Sequence, residues 1–490
     1  MMEPQRLCVT VTADTMAELR ARRDAVADAD LVELRLDGVR DVSVAAALAG
    51  RRRPVIVTCR PTWEGGRFDG SEETRLGLLL EAARRGAEYV DVEFAAAHAP
   101  LLRETGGRGL ILSVHDFDGV PADLGARVRA MRATGAEIVK VAVAARRLMD
   151  CFAADHLAPA RAGAREGRPG LIFIAMGEPG IPTRILPSRF GSAWAYAGAC
   201  TEAGQLPATR VLEEFRFRRL GLRTGVYGVL GRPVAHSVSP AMHNAAFQAC
   251  REDAVYLPLA AADFDDFIAF SEAIGLRGAS VTAPFKDQAF ERADACDPVS
   301  RRIRAVNTLR VEGRKGWSGC NTDVAGFLAP LERVLRPAGI RAVVLGAGGG
   351  ARAAAIALSA AGAHVTVCAR DTAKAEAAAA LAGAAVGPFP PVPGTWDLLV
   401  NATPVGTTPE VAASPLPGGP FTGRMVYDLV YNPSRTRLLR EAAAAGCLTL
   451  GGLEMLVAQA REQFAWWTGH QASEKLMRDA ALARLDEMAT

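Results

Sequence analysis

The stretch "IRAVVLGAGGGARAAAIALSAAGAHVTVCAR", residues 340–370, combines two short apolar runs, a glycine-rich turn and an alanine-rich segment of helical length. The order strand, turn, helix, strand predicts one parallel β-α-β unit of the nucleotide-binding kind, with the pattern G-x-G-x-x-A in its turn. Glycines permit the tight turn and let a pyrophosphate approach the helix N-terminus. The fingerprint consists of Gly346, Ala347, Gly348, Gly349, Gly350 and Ala351. We therefore expect a Rossmann domain over residues 339–450.

The end of the second apolar run indicates which nucleotide binds. An acidic residue there would bind a ribose hydroxyl, whereas Arg370 and Lys374 suit a 2′-phosphate. Asp371 is the counter-argument, although it could equally cap the helix that follows. The sequence therefore predicts NADP (NADPH) rather than NAD as cofactor.

Length and composition limit the class of protein. At 490 residues, half of them hydrophobic, the chain is long enough for roughly two to four domains. A net charge of +3 without a long basic run does not favour nucleic acid or an anionic membrane as partner. Nine scattered cysteines argue for reduced thiols and against a disulfide framework or a metal site. Without a signal-peptide core or a long apolar segment, we expect a cytoplasmic protein that acts on small molecules.

The first half alternates β-rich runs with alanine- and arginine-rich helical stretches. The runs are "RLCVTVT", "DLVELRL", "PVIVTCR", "EYVDVEF", "GLILSVHD", "EIVKVAV", "GLIFIAMG" and a weaker "AWAYAG". Strands that alternate with helices form parallel β-α-β units, so eight of them predict a (β/α)8 TIM barrel over residues 1–218. A separate α/β lobe over 225–335 would precede the Rossmann domain, and helices over 453–490 would return to that lobe.

Polar residues collect at the ends of the barrel runs, where barrel enzymes place their sites. They are Glu33, Arg35, Arg60, Asp91, Glu93, His115 and Arg184. Taken singly, each has an ordinary explanation as a surface charge, a structural ion pair or a loop cap. Their joint placement on successive strands favours a common cavity.

A lysine interrupts the apolar run "AEIVKVAVA", residues 136–144. Alternation puts Lys140 on the face of Ile138 and Ala142, which in a barrel strand is either the helix layer or the cavity. Because His115 lies on the preceding strand, the cavity is favoured. There a desolvated lysine near other cations loses its proton more easily and attacks a carbonyl, and apolar neighbours would help to keep it uncharged.

A Schiff base at this lysine would act as an electron sink. A histidine would remove a proton from the adjacent carbon and later protonate a departing hydroxyl. Arginines would hold a carboxylate through paired hydrogen bonds. On residue types alone, a class I aldolase and a Schiff-base dehydratase both remain possible.

Seven ordered motifs run through the first half: "ELRLD" (33–37), "TCRPTWEGG" (58–66), "DVE" (91–93), "SVHDF" (113–117), "VKVAV" (139–143), "MGEPGIPTRI" (176–185) and "EAGQ" (202–205). Together they resemble type I 3-dehydroquinate dehydratase over almost the whole of this half. The resemblance implies that Lys140 forms the Schiff base with the substrate ketone and that His115, oriented by Glu64, is the acid and base. The other residues implied at the substrate are Glu33, Arg35 and Arg60 on the hydroxyl side, and Arg184, Thr201 and Gln205 near the carboxylate.

Two departures from the family fall near the carboxylate. Thr183 stands where the family often has serine before Arg184, and "TEAGQ" (201–205) replaces Ser-Ala-Pro-Gly-Gln. Thr201 keeps a hydroxyl, but Glu202 adds a charge. These departures concern the lid conformation and the substrate affinity rather than the core chemistry.

The second half contains six further motifs: "HSVSPAMHN" (236–244), "SVTAPFK" (280–286), "AVNTL" (305–309), "GCNTDVAG" (319–326), "DLVYNP" (428–433) and "GGLEMLVAQA" (451–460). Each is ordinary by itself, but the set supplies the hydroxyls, amide, lysine and carboxylate that bind a polyhydroxylated ring. Together they resemble shikimate dehydrogenase over nearly all of 225–490.

This second resemblance implies an acid/base pair of Lys286 and Asp323. The residues implied at the substrate are Ser237, Ser239, Thr282, Asn307, Tyr431 and Gln459, and Leu429, Tyr431 and Gly452 would lie near the nicotinamide. One departure is Ala369, where the NADP loop of the family commonly has asparagine before the arginine. This change would weaken NADP selectivity without abolishing it.

The two halves together predict a bifunctional enzyme of the shikimate pathway, and so of aromatic amino acid biosynthesis. It would dehydrate 3-dehydroquinate to 3-dehydroshikimate and reduce that product to shikimate with NADPH. One alternative is a dehydrogenase half that uses quinate or NAD, against which Ser237, Ser239 and Arg370 argue. A second is a non-catalytic regulator that senses shikimate-type ligands. Such a protein should have lost its catalytic residues, and here all four candidates are present.

Overall fold

The computed structural model describes residues 5–154, 170–198, 204–313 and 316–489. The chain forms two compact units. The first comprises Met1–Thr224 with Leu257–Ile274, and the second comprises Gly225–Tyr256 with Gly275–Thr490. Segment 257–274, which the sequence assigns to the substrate lobe, thus groups with the first unit. The finer division into lobes stays a prediction.

An eight-stranded parallel sheet is the centre of the first unit. Its strands are β1 (Leu7–Val11), β2 (Leu31–Arg35), β3 (Val55–Thr58), β4 (Tyr89–Glu93), β5 (Leu110–Asp116), β6 (Ile138–Ala144), β7 (Gly170–Met176) and β8 (Ala195–Gly198). The order is β7-β6-β5-β4-β3-β2-β1-β8, and a bridge between Leu171 and Ser192 brings its two edges together. The predicted barrel is confirmed, and all eight predicted runs contain a strand.

Helices follow most of these strands. They are α1 (Met16–Ala25), α2 (Val44–Leu48), α3 (Glu72–Arg84), α4 (Ala99–Thr105), α5 (Leu124–Ala133) and α6 (Ile181–Ile185). The first three begin after hydroxyl caps, because the side chains of Thr15, Ser43 and Ser71 accept hydrogen bonds from the N–H groups three residues on. The caps fix where each helix leaves its loop at the barrel rim.

Apolar side chains form a large part of the interior face of the barrel. The packed side chains include Cys8, Leu31, Ile56, Ile111, Ile138, Ala142, Ile172, Ile174, Trp194 and Tyr196. Ile138 and Ala142 belong to this cluster, and side chains two apart on a strand share a face. Lys140, which lies between them, therefore points into the barrel rather than toward the helix layer.

A mixed sheet begins the second half of the chain. Its strands are β9 (Gly225–Gly231), β10 (Ala254–Ala260), β11 (Leu276–Val281), β12 (Ala295–Cys296), β13 (Thr308–Glu312) and β14 (Gly316–Cys320), in the order β10-β9-β11-β13-β14-β12. The helices of this region are α7 (Ser239–Ala249), α8 (Phe264–Ile274), α9 (Lys286–Arg292), α10 (Pro298–Ile303) and α11 (Asp323–Glu332).

A parallel six-stranded sheet follows. Its strands are β15 (Arg341–Leu345), β16 (His364–Cys368), β17 (Ala385–Gly387), β18 (Leu398–Asn401), β19 (Met425–Asp428) and β20 (Leu448–Gly451). The order β17-β16-β15-β18-β19-β20 is the doubly wound Rossmann order, which confirms the predicted fold. The remaining helices are α12 (Gly349–Ala360), α13 (Thr372–Ala382), α14 (Arg437–Ala444), α15 (Gly452–Thr468) and α16 (Glu474–Ala489).

Small side chains set the packing of this region. The buried alanines of α12 let the helix lie close to the sheet. α15 then packs against α11, and α16 packs against α7. Among the described helices, none has the length and hydropathy needed to cross a membrane.

Two candidate active sites

Lys140 projects from the middle of β6 into the barrel interior and is almost fully buried. Its Nζ donates to Asp91 Oδ2 at 2.9 Å and lies 3.5 Å from Glu33 Oε1. The centroid of the Tyr196 ring is 4.5 Å from the same nitrogen. Two carboxylates and an aromatic face therefore surround this nitrogen. The sequence predicted apolar neighbours for Lys140, whereas the contacts of its Nζ are charged and aromatic.

His115, near the end of β5, faces the same interior. Its Nδ1 lies 2.8 Å from Oε2 of Glu64, in the 3₁₀ turn Thr62–Glu64 that follows β3. Burial, together with the charges of Arg60 and Lys140, lowers the pKa of His115 well below its usual value. The imidazole is therefore neutral, and its Nε2 accepts a proton when Nδ1 donates its hydrogen to the carboxylate.

The pKa of Glu64 is raised by its surroundings. Burial raises the pKa of Glu64 to about 8, and the like charges of Glu93 and Asp91 add to this effect. Arg60 offsets only part of the rise. Because Glu64 and His115 are in hydrogen-bond contact, they exchange protons and titrate as a pair. The form with a free Nε2 base is the one in which Glu64 is ionised.

Arg60 follows β3 and is buried among acids. Its guanidinium donates to Asp91 Oδ1 at 2.8 Å and to Glu93 Oε1 at 2.5 Å. It also donates to Ser113 Oγ at 2.8 Å. Burial alone would raise the pKa of Asp91, but Arg60 and Lys140 hold it well below its usual value. Arg60 thus fixes the carboxylate that contacts the lysine, and its predicted contact with substrate stays a prediction.

Glu33 and Arg35 share the interior face of β2. Glu33 accepts hydrogen bonds from Thr10 Oγ1 at 2.8 Å and Thr58 Oγ1 at 2.9 Å. Burial opposes its ionisation, but the neighbouring cations lower the pKa of Glu33 below its usual value. Arg35 forms a two-point ion pair with Asp37, at 2.7 and 2.8 Å. Both side chains are therefore held in fixed orientations at the edge of the cavity.

The remaining predicted barrel residues follow the last two strands. Arg184 is buried in α6, after β7. Gln205 lies beside the end of β8, since a Cβ on Gly198 would be 2.7 Å from its Oε1. The hydroxyl of Thr183 donates to Gly180 O at 2.8 Å and so serves the local turn. Thr201 lies outside the described residues.

Four residues of this site were not assigned a role from the sequence. Asp91 and Glu93 were noted only as strand-end acids, although the spacing of "DVE" put both on the inward face of β4. Ser113 and Tyr196 gave no signal, because a serine and a tyrosine in apolar runs are ordinary core residues. Their roles depend on which strands are neighbours.

The second site brings together residues from four separate motifs. Lys286, the first residue of α9, donates to Asp323 Oδ2 at 2.6 Å. Asn307 Nδ2 donates to Asp323 Oδ1 at 2.8 Å and lies 3.4 Å from Gln459 Oε1. Asp323 is fully buried, whereas a fifth of the Lys286 side chain is exposed, 20%. The lysine can therefore exchange a proton with a ligand while the carboxylate holds it in place.

Hydroxyl groups lie around the same region. Ser237 Oγ accepts the N–H of Ser239 at 3.2 Å. Burial raises the pKa of Tyr431, and its hydrogen bond with Ser237 opposes the rise. Thr282 follows β11 and is exposed, and its N–H donates to Leu230 O at 2.8 Å. These contacts hold the backbone segments that carry the hydroxyl residues of this site.

A buried chain of hydrogen bonds supports the asparagine of this site. Tyr256 donates to Ser280 Oγ at 2.6 Å, and Ser280 donates to Gln463 Oε1 at 2.7 Å. Gln463 Nε2 in turn lies 3.5 Å from Asn307 O. The sequence gave no signal for this support, because its members come from three distant segments.

Two glycines allow the close approaches that the site requires. A Cβ on Gly326 would lie 2.8 Å from Gln459 Cβ, so α15 reaches Asn307 only because position 326 has no side chain. A Cβ on Gly452 would lie 2.2 Å from Leu429 O. The start of α15 thus packs directly against the loop after β19.

The glycine-rich turn has the geometry of a nucleotide site. Gly346 has φ 112°, which favours glycine, and α12 begins at Gly349 without a side-chain cap. Its first N–H groups are therefore suited to an anion. A Cβ on Gly349 would lie 3.2 Å from Lys286 Cδ, so this turn lies beside the Lys286–Asp323 pair.

The residues after β16 fit a 2′-phosphate. Asp371 caps α13, since its Oδ1 accepts the N–H of Lys374 at 3.1 Å, and this hydrogen bond lowers the pKa of Asp371. Arg370 precedes the cap, and the Lys374 side chain is exposed. The acid that argued for NAD thus caps the helix and lies 3.6 Å from Lys374 Nζ. The two cations lie on either side of this acid in the chain, Arg370 before α13 and Lys374 in its first turn.

The fold and both sites define a class of protein: a two-unit enzyme with a lysine-centred barrel and a dehydrogenase built on a Rossmann domain. Family models match three of its segments. Residues 7–220 match type I 3-dehydroquinase, 229–309 the shikimate dehydrogenase substrate binding domain, and 452–482 the shikimate 5′-dehydrogenase C-terminal domain.

A curated relative covers both halves. It is the chloroplastic bifunctional 3-dehydroquinate dehydratase/shikimate dehydrogenase of Arabidopsis thaliana, 33% identical over 512 residues, which are 96% of this chain and 83% of the relative. The chain therefore belongs to the bifunctional 3-dehydroquinate dehydratase/shikimate dehydrogenase family.

Further relatives match the second half. The shikimate dehydrogenase (NADP+) of Moorella thermoacetica is 44% identical, over 52% of this chain and 91% of the relative. A solved shikimate dehydrogenase in complex with NADP+ superposes with a TM-score of 0.51 at 32% identity, over 54% of this chain and 97% of that one. The shikimate dehydrogenase from Aquifex aeolicus superposes with a TM-score of 0.50 at 32% identity, over 53% of this chain and 98% of that one.

Proposed function

We propose that the barrel dehydrates 3-dehydroquinate to 3-dehydroshikimate and that the second unit reduces this product to shikimate with NADPH. The observation that carries the proposal is the convergence, inside one barrel, of Lys140 with Asp91 and of His115 with Glu64. The substrates named for the relatives in both halves are consecutive in one pathway, which is consistent with a single chain that performs both steps.

In the barrel, Lys140 Nζ loses a proton and attacks the ketone carbon of the substrate, and loss of water leaves an iminium. His115 Nε2 then removes a proton from the adjacent carbon, and the electron pair moves into the iminium. The electron pair then returns and breaks the C–O bond to the β-hydroxyl, which takes the proton from the imidazolium and leaves as water, so that an iminium forms again. Hydrolysis of the remaining iminium releases the ketone and restores the lysine, so the net change is the loss of one water.

The substrate contacts are proposed by position. Glu33, Arg35 and Arg60 would bind the hydroxyl side, and Arg184 would bind the carboxylate, with Gln205 and Thr201 beside it. The two-point ion pair of Arg35 and the burial of Arg184 support these roles, because both guanidinium groups are held before substrate arrives.

In the second unit, NADPH supplies the hydride when bound. The chain supplies the proton: Lys286 Nζ gives it to the carbonyl oxygen of 3-dehydroshikimate, which becomes a hydroxyl, and Asp323 holds the ammonium during this step. Ser237, Ser239 and Thr282 would orient the ring hydroxyls. Asn307, Gln459 and Tyr431 complete the proposed substrate set.

The cofactor would lie on the glycine-rich turn, from Gly346 to Ala351. The uncapped N-terminus of α12 would bind the pyrophosphate, and Arg370 with Lys374 would bind the 2′-phosphate. Leu429 and Gly452 would lie beside the nicotinamide, which their direct packing supports. The capping role of Asp371 supports NADP over NAD, and a cytoplasmic location stays a prediction.

A coupled assay tests both reactions in one experiment. The chain is given 3-dehydroquinate and NADPH, and formation of shikimate is followed together with loss of NADPH absorbance. Lys140→Ala should stop the assay from 3-dehydroquinate but not from 3-dehydroshikimate, and Lys286→Ala should stop both. Turnover from 3-dehydroquinate by Lys140→Ala would contradict the assignment of the barrel.

Borohydride trapping identifies the nucleophile directly. Reduction in the presence of 3-dehydroquinate should add a stable ligand mass to the peptide that contains Lys140. Active protein whose Lys140 peptide stays unlabelled would overturn the Schiff-base mechanism. The alternative dehydrogenase is tested by oxidation of shikimate and of quinate, each with NADP and with NAD. A preference for quinate over shikimate would contradict the proposed substrate, and a preference for NAD over NADP would contradict the proposed cofactor.

A further inference from the structure

An arginine outside the predicted site reaches the charges inside the barrel. α3 packs against β3 and β4, yet the Arg75 side chain that it carries is completely buried, 0% exposed. Its Nη1 donates to Glu93 Oε2 at 2.5 Å and to Cys59 O at 2.9 Å. Its Nε and Nη2 bind the two oxygens of Glu72, at 2.8 and 2.7 Å. All three nitrogens of the guanidinium are therefore in fixed contacts.

The carboxylate that Arg75 contacts is shared with Arg60. Glu93 is also 0% exposed, and while its Oε2 faces Arg75, its Oε1 accepts from Arg60 at 2.5 Å. Arg60 in turn donates to Asp91, and the other oxygen of Asp91 accepts from Lys140. A continuous series of charge-assisted contacts thus runs from α3 to the proposed nucleophile.

The charges that face Glu93 come from every element around it. Those that act on Glu93 itself are Arg60 after β3, Glu64 on the 3₁₀ turn, Arg75 on α3 and Asp91 on β4. Behind them, Glu72 contacts Arg75, His115 contacts Glu64 and Lys140 contacts Asp91. Burial raises the pKa of Glu93, Asp91 adds to the rise, and Arg60 and Arg75 oppose it. Loss of Arg75 would therefore favour the protonated carboxyl, which attracts Arg60 less strongly.

We propose that Arg75 is a positioning residue of the dehydratase site: it holds Glu93 so that Arg60 fixes Asp91 against Lys140. The inference rests on the proposed dehydratase function. Because Arg75 acts through another ionisable group, its loss should change how activity depends on pH. A residue that only stabilises the fold would lower the amount of active protein at every pH alike.

Four variants of the full-length chain test the proposal: Arg75→Met, Arg75→Lys, Glu93→Gln and, as control, Arg84→Met on the same helix. Arg84 is exposed and pairs with Glu104, away from the barrel interior. The kcat and KM for 3-dehydroquinate are measured across pH, and the dehydrogenase activity of the same sample reports the amount of folded second unit.

We expect Arg75→Met to lower kcat/KM by about 10-fold at neutral pH, mainly through kcat, since a charged hydrogen bond of this kind is lost. Activity should recover as pH rises and Glu93 ionises. Glu93→Gln should show the same loss of kcat/KM but no recovery at high pH, because it has no carboxyl to ionise. Arg75→Lys should restore most of the wild-type dependence of kcat/KM on pH. Arg84→Met should have the wild-type kcat/KM at every pH.

A double-mutant cycle decides whether Arg75 acts through Glu93. If it does, Arg75→Met adds little to Glu93→Gln. Additive losses, or an Arg75→Met profile parallel to wild type, would overturn the proposal. If Arg75→Met does not fold, the cycle is run with Arg75→Gln, which also removes the charge, and additive losses have the same meaning. A wild-type chain without dehydratase activity would instead contradict the proposed function.

Discussion

The Glu64–His115 contact is the clearest determinant of chemistry at the scale of single residues. A histidine in a barrel cavity is ordinary, but burial and two cations make this imidazole neutral, and its partner is a carboxyl whose pKa is raised to about 8. The base form of the pair needs Glu64 ionised, because only then does Nδ1 donate its hydrogen and leave Nε2 free.

A pH prediction follows from this pair. The acidic limb of kcat/KM for dehydration should follow ionisation of Glu64, whose pKa is about 8, so activity rises with pH through this range. Glu64→Gln keeps an acceptor for Nδ1, so its limb should move to the lower pKa of His115, below the usual 6.5. The maximal rate should fall because no charge stabilises the imidazolium. The measurement is kcat/KM for dehydration against pH for wild type and Glu64→Gln. An acidic limb at the same pH in both proteins would contradict the assignment of this limb to Glu64.

Arg370 provides a test of cofactor choice. Arg370→Ala should lower kcat/KM for NADPH by about 10- to 100-fold, because a charge-assisted contact to the 2′-phosphate is lost. Activity with NADH should change little, since NADH has no such phosphate. Steady-state kinetics with both cofactors measure the ratio. An equal loss with NADPH and NADH would show that Arg370 does not recognise the phosphate.

At the scale of elements, the second site depends on how closely α15 approaches α11. Gly326 permits this approach, and Gln459 on α15 thereby reaches the asparagine after α10. A glycine inside a helix lowers helix stability. A packing reason for a glycine at such a position exists only where an added Cβ would collide with a neighbouring element.

Gly326→Ala tests that contact, with Gly77→Ala in α3 as a matched control. The added Cβ at 326 would lie 2.8 Å from Gln459 Cβ, whereas nothing lies within 4 Å of one at 77. We expect Gly326→Ala to destabilise the chain by about 1–3 kcal/mol and to raise KM for shikimate. Gly77→Ala should stabilise by about 0.5–1 kcal/mol. Thermal unfolding measures the stability of each variant, and shikimate oxidation measures its KM. Equal stability and equal KM in the two variants would contradict the close packing of α15 against α11.

At the scale of the whole molecule, the described residues of each proposed site belong to one unit. The described barrel residues all lie before Thr224, and the described dehydrogenase residues all lie in Gly225–Tyr256 or Gly275–Thr490. The described residues assigned to each proposed reaction therefore come from a single unit.

This separation predicts complementation between variants. An equimolar mixture of Lys140→Ala and Lys286→Ala should convert 3-dehydroquinate to shikimate, because the first retains reduction and the second retains dehydration. Each variant alone should fail. Shikimate formation by chromatography is the measurement. A mixture that stays inactive, while each variant still performs its own half-reaction, would show that the product does not pass between molecules.

The sequence by itself determined the two folds, the strands that carry the two proposed catalytic residues of the barrel, and the cofactor class. Local patterns are sufficient for these features, because strand alternation, glycine turns and helix caps act over a few residues. Asp371 illustrates this: the alternative role as a cap was visible in the sequence, and the structure shows it.

Only the tertiary structure decided the charge environment of those residues. Lys140 was expected among apolar neighbours, yet it lies between two carboxylates from β2 and β4. Arg75 and Tyr196 gave no signal, because the first comes from a helix on the outer face and the second from the last strand. Electrostatic contacts depend on distances between segments far apart in the chain, and no local pattern contains those distances.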